Sequence, residues 1–195
     1  MTAGRIAGRV IVALAAAVLI VAAGVAWYAF SGRYSIAATE PHPPALEAAI
    51  DEIYHASVAR QAAGIEAPAL DRERAAAGAP IYAAECAMCH GVPEADREAW
   101  AEGLYPLPPH LPKDGTDLAA EEIFWIIREG VKFTSMPSYR HALSDEEIWS
   151  VTALVERLHG MTAEAYEELI ALPAEEPGAG DAGDAEADAG GPGNG

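Results

Sequence analysis

Residues 10–30, VIVALAAAVLIVAAGVAWYAF, run for 21 residues without a charged side chain. Backbone polar groups in hydrocarbon must be satisfied within their own segment, so such a run crosses a bilayer as a helix. At ~1.5 Å per residue its length matches the ~30 Å apolar core of a membrane. Arg5 and Arg9 precede the run, and Trp27, Tyr28 and Phe30 close it, where amphipathic rings favour the membrane interface. Residues 1–9 are therefore expected to stay cytoplasmic as a short N-terminus, with the chain beyond residue 30 exported. A cleaved signal peptide is the competing reading. Its apolar core is usually ~7–15 residues and leads to a small-x-small cleavage site. This run is longer, and Ile36-Ala37-Ala38 is a poor site, so an uncleaved single-pass anchor fits better.

Residues 31–71 read as an exported linker. The prolines Pro41, Pro43 and Pro44 interrupt helix and strand alike. A short helix over 46–63 is possible, although Leu46, Ile50, Ile53 and Val58 form only a partial stripe. Residues 72–170 form the main domain, and their patterns are helical. An alanine-rich segment from Arg72 to Glu85 comes first. Asp117 is a candidate cap for a helix ending near Glu129, with Gly130 as terminator. Ser144 and Glu147 make a capping box for the next helix, followed by Ile148, Val151, Val155 and Leu158 at helical spacing. Thr162 starts a last short helix, with Tyr166, Leu169 and Ile170 as its anchors. Residues 171–195 read as a disordered acidic tail, because from Pro173 onward no large apolar side chain remains to offset the ordering entropy.

Twelve Lys and Arg against 30 Asp and Glu give a formal net charge of −18. That balance excludes nucleic-acid binding, which needs a basic surface. The only cysteines, Cys86 and Cys89, exclude a disulfide framework and a four-cysteine zinc site. They stand in Cys86-Ala87-Met88-Cys89-His90, the C-x-x-C-H pattern of c-type haem attachment. Two thiols one helical turn apart can form thioethers to the two haem vinyl groups. The adjacent His90 then presents its Nε2 to iron, while its other nitrogen donates to a backbone carbonyl. In the proline-rich stretch 104–112, the carbonyl of Pro108 or Pro109 is the expected acceptor. A thioredoxin-like dithiol is the competing reading, but it wants a strand before the motif and a βαβ fold, and the preceding segment is helical.

The other face of the iron needs a second ligand. Met136 lies between a helix end and Pro137, in a non-helical loop, and a thioether is a soft ligand suited to haem iron. Met88 lies inside the attachment loop and Met161 begins a late helix. His110 reads as a surface or propionate-side residue and His141 as a solvated one. His42, His55 and His159 show no ligand spacing.

The helix before CAMCHG, the loop KFTSMPSY and the Trp-containing later helix resemble the class I cytochromes c over about residues 72–160. Together with the anchor, the chain is similar to bacterial membrane-anchored monohaem cytochromes. The resemblance implies an all-α fold around one haem, behind an N-terminal transmembrane helix. It implies Cys86 and Cys89 as haem-binding residues and His90 and Met136 as axial ligands. It also implies that Gly78 and Tyr82 meet Ile148, Trp149 and Thr152 where the first and last core helices cross, and that Lys132 and Phe133 border the haem pocket. The lysine ring some relatives use for docking has little counterpart here, since Lys113 and Lys132 are the only lysines.

The expected function is electron transfer by one covalent haem c, held at the outer, periplasmic side of the bacterial cytoplasmic membrane. With both axial positions filled there is no substrate site, so no enzyme activity and no small-molecule substrate are expected. Exported or membrane redox proteins are the expected partners, with a basic docking patch complementary to this acidic chain. Two alternatives stay open: a haem-bearing small subunit of a membrane oxidase or dehydrogenase, and a gas-sensing haem module.

Overall fold

A computed structural model describes residues 2–172. Of the acidic tail expected at 171–195, the part from residue 173 lies outside the described residues. The chain divides into two units, the first ending at Pro43 and the second beginning at Pro44.

The first unit is helix α1, Thr2–Phe30, followed by a turn-rich segment. Among the described residues α1 is the one helix long and apolar enough to cross a membrane, and its large apolar side chains are exposed along its length. At its C-terminal end the Arg33 guanidinium lies 4.5 Å from the centre of the Trp27 ring, and Tyr28 meets Tyr34 edge to face. These contacts gather the aromatic residues at the end where an interfacial belt belongs.

Within the described residues the second unit is built from helices joined by loops. It comprises α2 (Pro44–Ala62), α3 (Arg72–Glu85), α4 (Ala87–His90), a 3₁₀ turn at Ala99–Gly103, α5 (Leu111–Asp114), α6 (Ala120–Glu129), α7 (Asp145–Leu158) and α8 (Ala163–Ala171). The extended pairing among the described residues is an isolated bridge between Val92 and Ala95. The fold of the described residues is all-α, which is consistent with the class I cytochrome c-like domain expected from the sequence.

α7 is the central helix. Ile148, Val151, Leu154 and Leu158 are almost wholly buried and pack with Ala75, Ala79 and Tyr82 of α3 and with Ile123, Phe124 and Ile127 of α6. Its start is set locally. The Ser144 hydroxyl accepts from Glu147 N at 3.3 Å, and the Glu147 carboxylate accepts from Ser144 N at 2.7 Å. Thr162 caps α8 in the same way, accepting from Ala165 N.

Two expectations need correction, Asp117 as the cap of α6 and Ile170 as an anchor of α8. The cap of α6 is not Asp117: the helix starts at Ala120, and the Glu122 carboxylate accepts from Ala119 N at 2.9 Å. An acidic side chain three residues inside the helix reaches back to the free amide that Asp117 is too far upstream to serve. At the α3–α7 crossing Gly78 meets the backbone of Ser150 and Val151, while Trp149 stacks on Phe124 of α6, with ring centres 4.1 Å apart. The close approach therefore brings helix backbones together, and the aromatic partner of Trp149 comes from a third helix. On α8, Tyr166 and Leu169 are buried but Ile170 is 41% exposed. On α2, Val58 and Ala62 are buried whereas Leu46, Ile50 and Ile53 are exposed. α2 packs against α6.

Candidate functional site

α3 delivers the Cys-x-x-Cys-His turn. Cys86 closes α3, its N–H donating to Tyr82 O at 2.9 Å, and also caps α4. Cys89 N and His90 N both donate back to Cys86 O, at 3.1 and 3.0 Å. One helical turn thus separates the two thiols, which places them on the same face. Tyr82, fully buried, locks the end of the turn by donating its hydroxyl to Gly91 O at 2.8 Å.

Both thiols are free and half-buried. Burial, then the Glu85 carboxylate and Cys89, pushes the Cys86 thiol up to about 12. Burial also raises Cys89, against the lowering effect of Arg97. A redox dithiol needs the reverse, a thiolate stabilised near neutral pH. Among the described residues the surroundings are helical, not the strand-led βαβ setting a thioredoxin-like dithiol wants.

His90 Nδ1–H donates to Pro109 O at 2.9 Å. The carbonyl can only accept, so the proton sits on Nδ1 and the Nε2 lone pair is left for a metal. Burial holds the ring below the usual histidine range. The Pro109 bond acts the other way, and Arg97 and His110 add to the lowering. A neutral imidazole oriented through its second nitrogen is what an iron ligand requires.

The stretch 104–112 supplies that acceptor, but His110 is not on the surface. It is 3% exposed, and its Nε2–H donates to Ala95 O at 3.0 Å. Its backbone N–H donates to the Asp114 carboxylate at 2.7 Å. The ring lies where a Cβ on Gly91 would be, 2.3 Å from that position. The prolines on either side carry the chain inward at this point.

The loop bearing Met136 folds back on the end of α6. Gly130 ends that helix at φ 70°. Val131 N donates to Met136 O at 3.2 Å, and Met136 N donates to Thr134 Oγ1 at 3.0 Å. Tyr139 N donates to Ile127 O and Ser138 Oγ to Arg128 O, which fixes the return of the chain. Met136 is half-buried and packs, as Cys86 does, against the core cluster.

Tyr139 links this loop to the attachment turn. Its hydroxyl donates to Glu85 O at 2.9 Å. Burial, then Cys86, Glu85 and Cys89, raises that hydroxyl to about 12. That bond ties the end of the methionine loop to the last residue of α3.

The other sulfur and imidazole candidates lie elsewhere. Met88 is 44% exposed, and its carbonyl accepts from Glu98 N. Met161 packs against the core. His141 and His159 are exposed. His55 pairs with Asp51 one turn away on α2, and His42 stacks on Tyr34 in the first unit. Lys132 and Phe133 are exposed, Phe133 with a left-handed backbone at φ 61°. Sequence reasoning missed Arg97, a nearly buried side chain that donates to Pro108 O. Its only visible mark in the sequence is that it is the sole basic residue between Arg74 and Lys113.

Among the described residues no group of three or more His, Cys, Asp or Glu side chains could hold a metal ion directly. The donor set present is two free thiols one turn apart and an adjacent imidazole with its Nδ1 engaged. It fits a single covalently attached haem c with His90 as an axial ligand.

Residues 73–155 match the family model described as Cytochrome C oxidase, cbb3-type, subunit III. The matched span runs from the start of α3 into the last turns of α7, and so includes the attachment turn and the Met136 loop. Neither a search of curated proteins nor one of solved structures gave a match.

Proposed function

We propose that this chain, a membrane-anchored class I cytochrome c-like protein related to a subunit of cbb3-type oxidases, serves as the haem-bearing small subunit of a membrane oxidase. The match over residues 73–155 is the observation that carries this reading. The family it names is an oxidase subunit, which favours a place within a complex over the free-standing carrier. The protein is a haem c-binding electron-transfer module and a single-pass protein of the bacterial inner membrane, with its haem domain outside the bilayer.

When bound, haem supplies a one-electron iron couple. Cys86 and Cys89 would hold it by two thioethers. His90 would ligate its iron, with the ring fixed by the Pro109 carbonyl. Met136 would supply the second ligand in our reading. The placement of Tyr139, three residues on, beside Cys86 and Cys89 supports this. A thioether on the second face favours the reduced state and raises the potential. With both ligand positions taken by side chains, no position would be left for a substrate, and the chain would carry electrons without catalysis of its own. The anchor holds the domain near membrane partners and raises its effective concentration there. Residues 71–170 hold 19 acidic and eight basic side chains, and a partner surface of opposite charge would complement them. We place the haem domain on the periplasmic side.

The test is affinity isolation of the tagged chain from native membranes in mild detergent. Mass spectrometry should find the other subunits of an oxidase in the same native-gel band as the haem stain. A haem-loaded chain that migrates alone would overturn the subunit reading and leave the free-standing carrier.

A further inference from the structure

Three consecutive residues of the proline-rich stretch are tied to the segment 90–97. Arg97 donates to Pro108 O, His90 Nδ1–H to Pro109 O, and His110 Nε2–H to Ala95 O. Pro108 and Pro109 have no N–H, so their backbones can be held only through their carbonyls. The Pro109 carbonyl therefore cannot be aimed by a hydrogen bond from its own residue. What aims it is the anchoring of its neighbours on either side.

We propose that His110 is a positioning residue for the proximal ligand: its Nε2–H···O bond to Ala95 and its packing on Gly91 fix the Pro109 carbonyl against His90. The inference rests on His90 being the axial ligand. Three features point to the hydrogen bond and not to volume alone. His110 is 3% exposed, in a space an apolar side chain could fill. Its Nδ1 is buried without a hydrogen-bond partner among the described residues, a penalty no aliphatic residue would carry. Its ring abuts Gly91, the residue after the ligand, whose carbonyl is itself held by Tyr82. His90, Gly91 and Pro109 thus share one bracket, with His110 at its centre.

The physical effect follows from the outer-shell bond. Donation from Nδ1–H to a carbonyl makes the imidazole a stronger donor to iron and favours the oxidised state. Loosening Pro109 weakens that donation. The midpoint potential then rises and the Nδ1 proton exchanges faster with solvent.

The test compares His110→Gln, whose amide can reach Ala95 O, with His110→Leu, which fills the space without a donor. Both are made as full-length haem-loaded protein. We expect His110→Leu to retain covalent haem, with a raised potential and faster exchange of the His90 Nδ1 proton by NMR. His110→Gln should return both readouts close to wild type. Unchanged potential and exchange in His110→Leu, or equal disturbance in both variants, overturns the proposal. Should His110→Leu yield no haem-loaded protein, His110→Ala serves in its place, since it removes the same ring donor without adding bulk. Faster Nδ1 exchange there supports the proposal, and unchanged exchange overturns it. Loss of His90 ligation in the wild-type protein is a separate result, which would strike the haem reading itself.

Discussion

Gly78 and Ser150 meet backbone to backbone: a Cβ on Gly78 would lie 2.1 Å from the Ser150 carbonyl oxygen. This contact sets the separation of α3 and α7, and α3 carries the attachment turn at its end. Gly78→Ala must push the helices apart, because the obstacle is main chain and cannot rotate away. Overpacking of a core costs ~1–3 kcal/mol, and this site belongs at the upper end. Denaturant unfolding of the haem-loaded protein measures it, and an unchanged midpoint would contradict the close crossing.

Met136→Ala is expected to keep covalent haem, since Cys86, Cys89 and His90 are untouched, but to open the iron to added ligands. The near-infrared band of iron–sulfur ligation in the oxidised protein should vanish, and the reduced protein should bind carbon monoxide rapidly. An unchanged visible spectrum and potential would remove Met136 from the ligand set.

Gly130 holds the methionine loop in place. Its φ is 70°, and an added Cβ would lie 2.7 Å from Pro137 C and Ser138 N and 2.9 Å from Met136 O. Gly130→Ala therefore meets both a left-handed backbone penalty of ~1–2 kcal/mol and a main-chain clash. The expected result is a haem-loaded protein with a reduced fraction of iron–sulfur ligation, read from the same near-infrared band. Full ligation in this variant would mean the loop can be displaced without moving Met136.

Ser144→Ala removes the N-cap of α7 and should lower stability by about 1 kcal/mol. The capping partner adds a pH signature. Hydrogen bonds from the Ser144 hydroxyl and backbone hold the Glu147 carboxyl below the ordinary carboxylate range. A carboxyl depressed on folding stabilises the protein above its unfolded value, and the gain is lost as pH falls through the folded value. The stability gap between wild type and Glu147→Ala should therefore be full at neutral pH and shrink in acid. A gap that does not change with pH, measured by urea unfolding, would count against an ionised cap.

Signals that act over three or four residues were legible from composition and spacing. The Cys86–His90 turn, the Ser144–Glu147 box, the Thr162 cap and the charge-free run of α1 are of this kind, because each needs only neighbours on its own turn or its own segment. Longer-range decisions were not. His110 is drawn into the interior by a bond to Ala95, 15 residues away, and Tyr139 reaches Glu85 across 54. On α2, Val58 and Ala62 are buried while Leu46, Ile50 and Ile53 stay in solvent, a choice no periodicity within α2 could announce. Local hydrogen bonding specifies where a helix begins and which side chains share its face. Which of those faces is buried, and against what, depends on surfaces supplied by distant parts of the chain, and those exist only once the chain has folded.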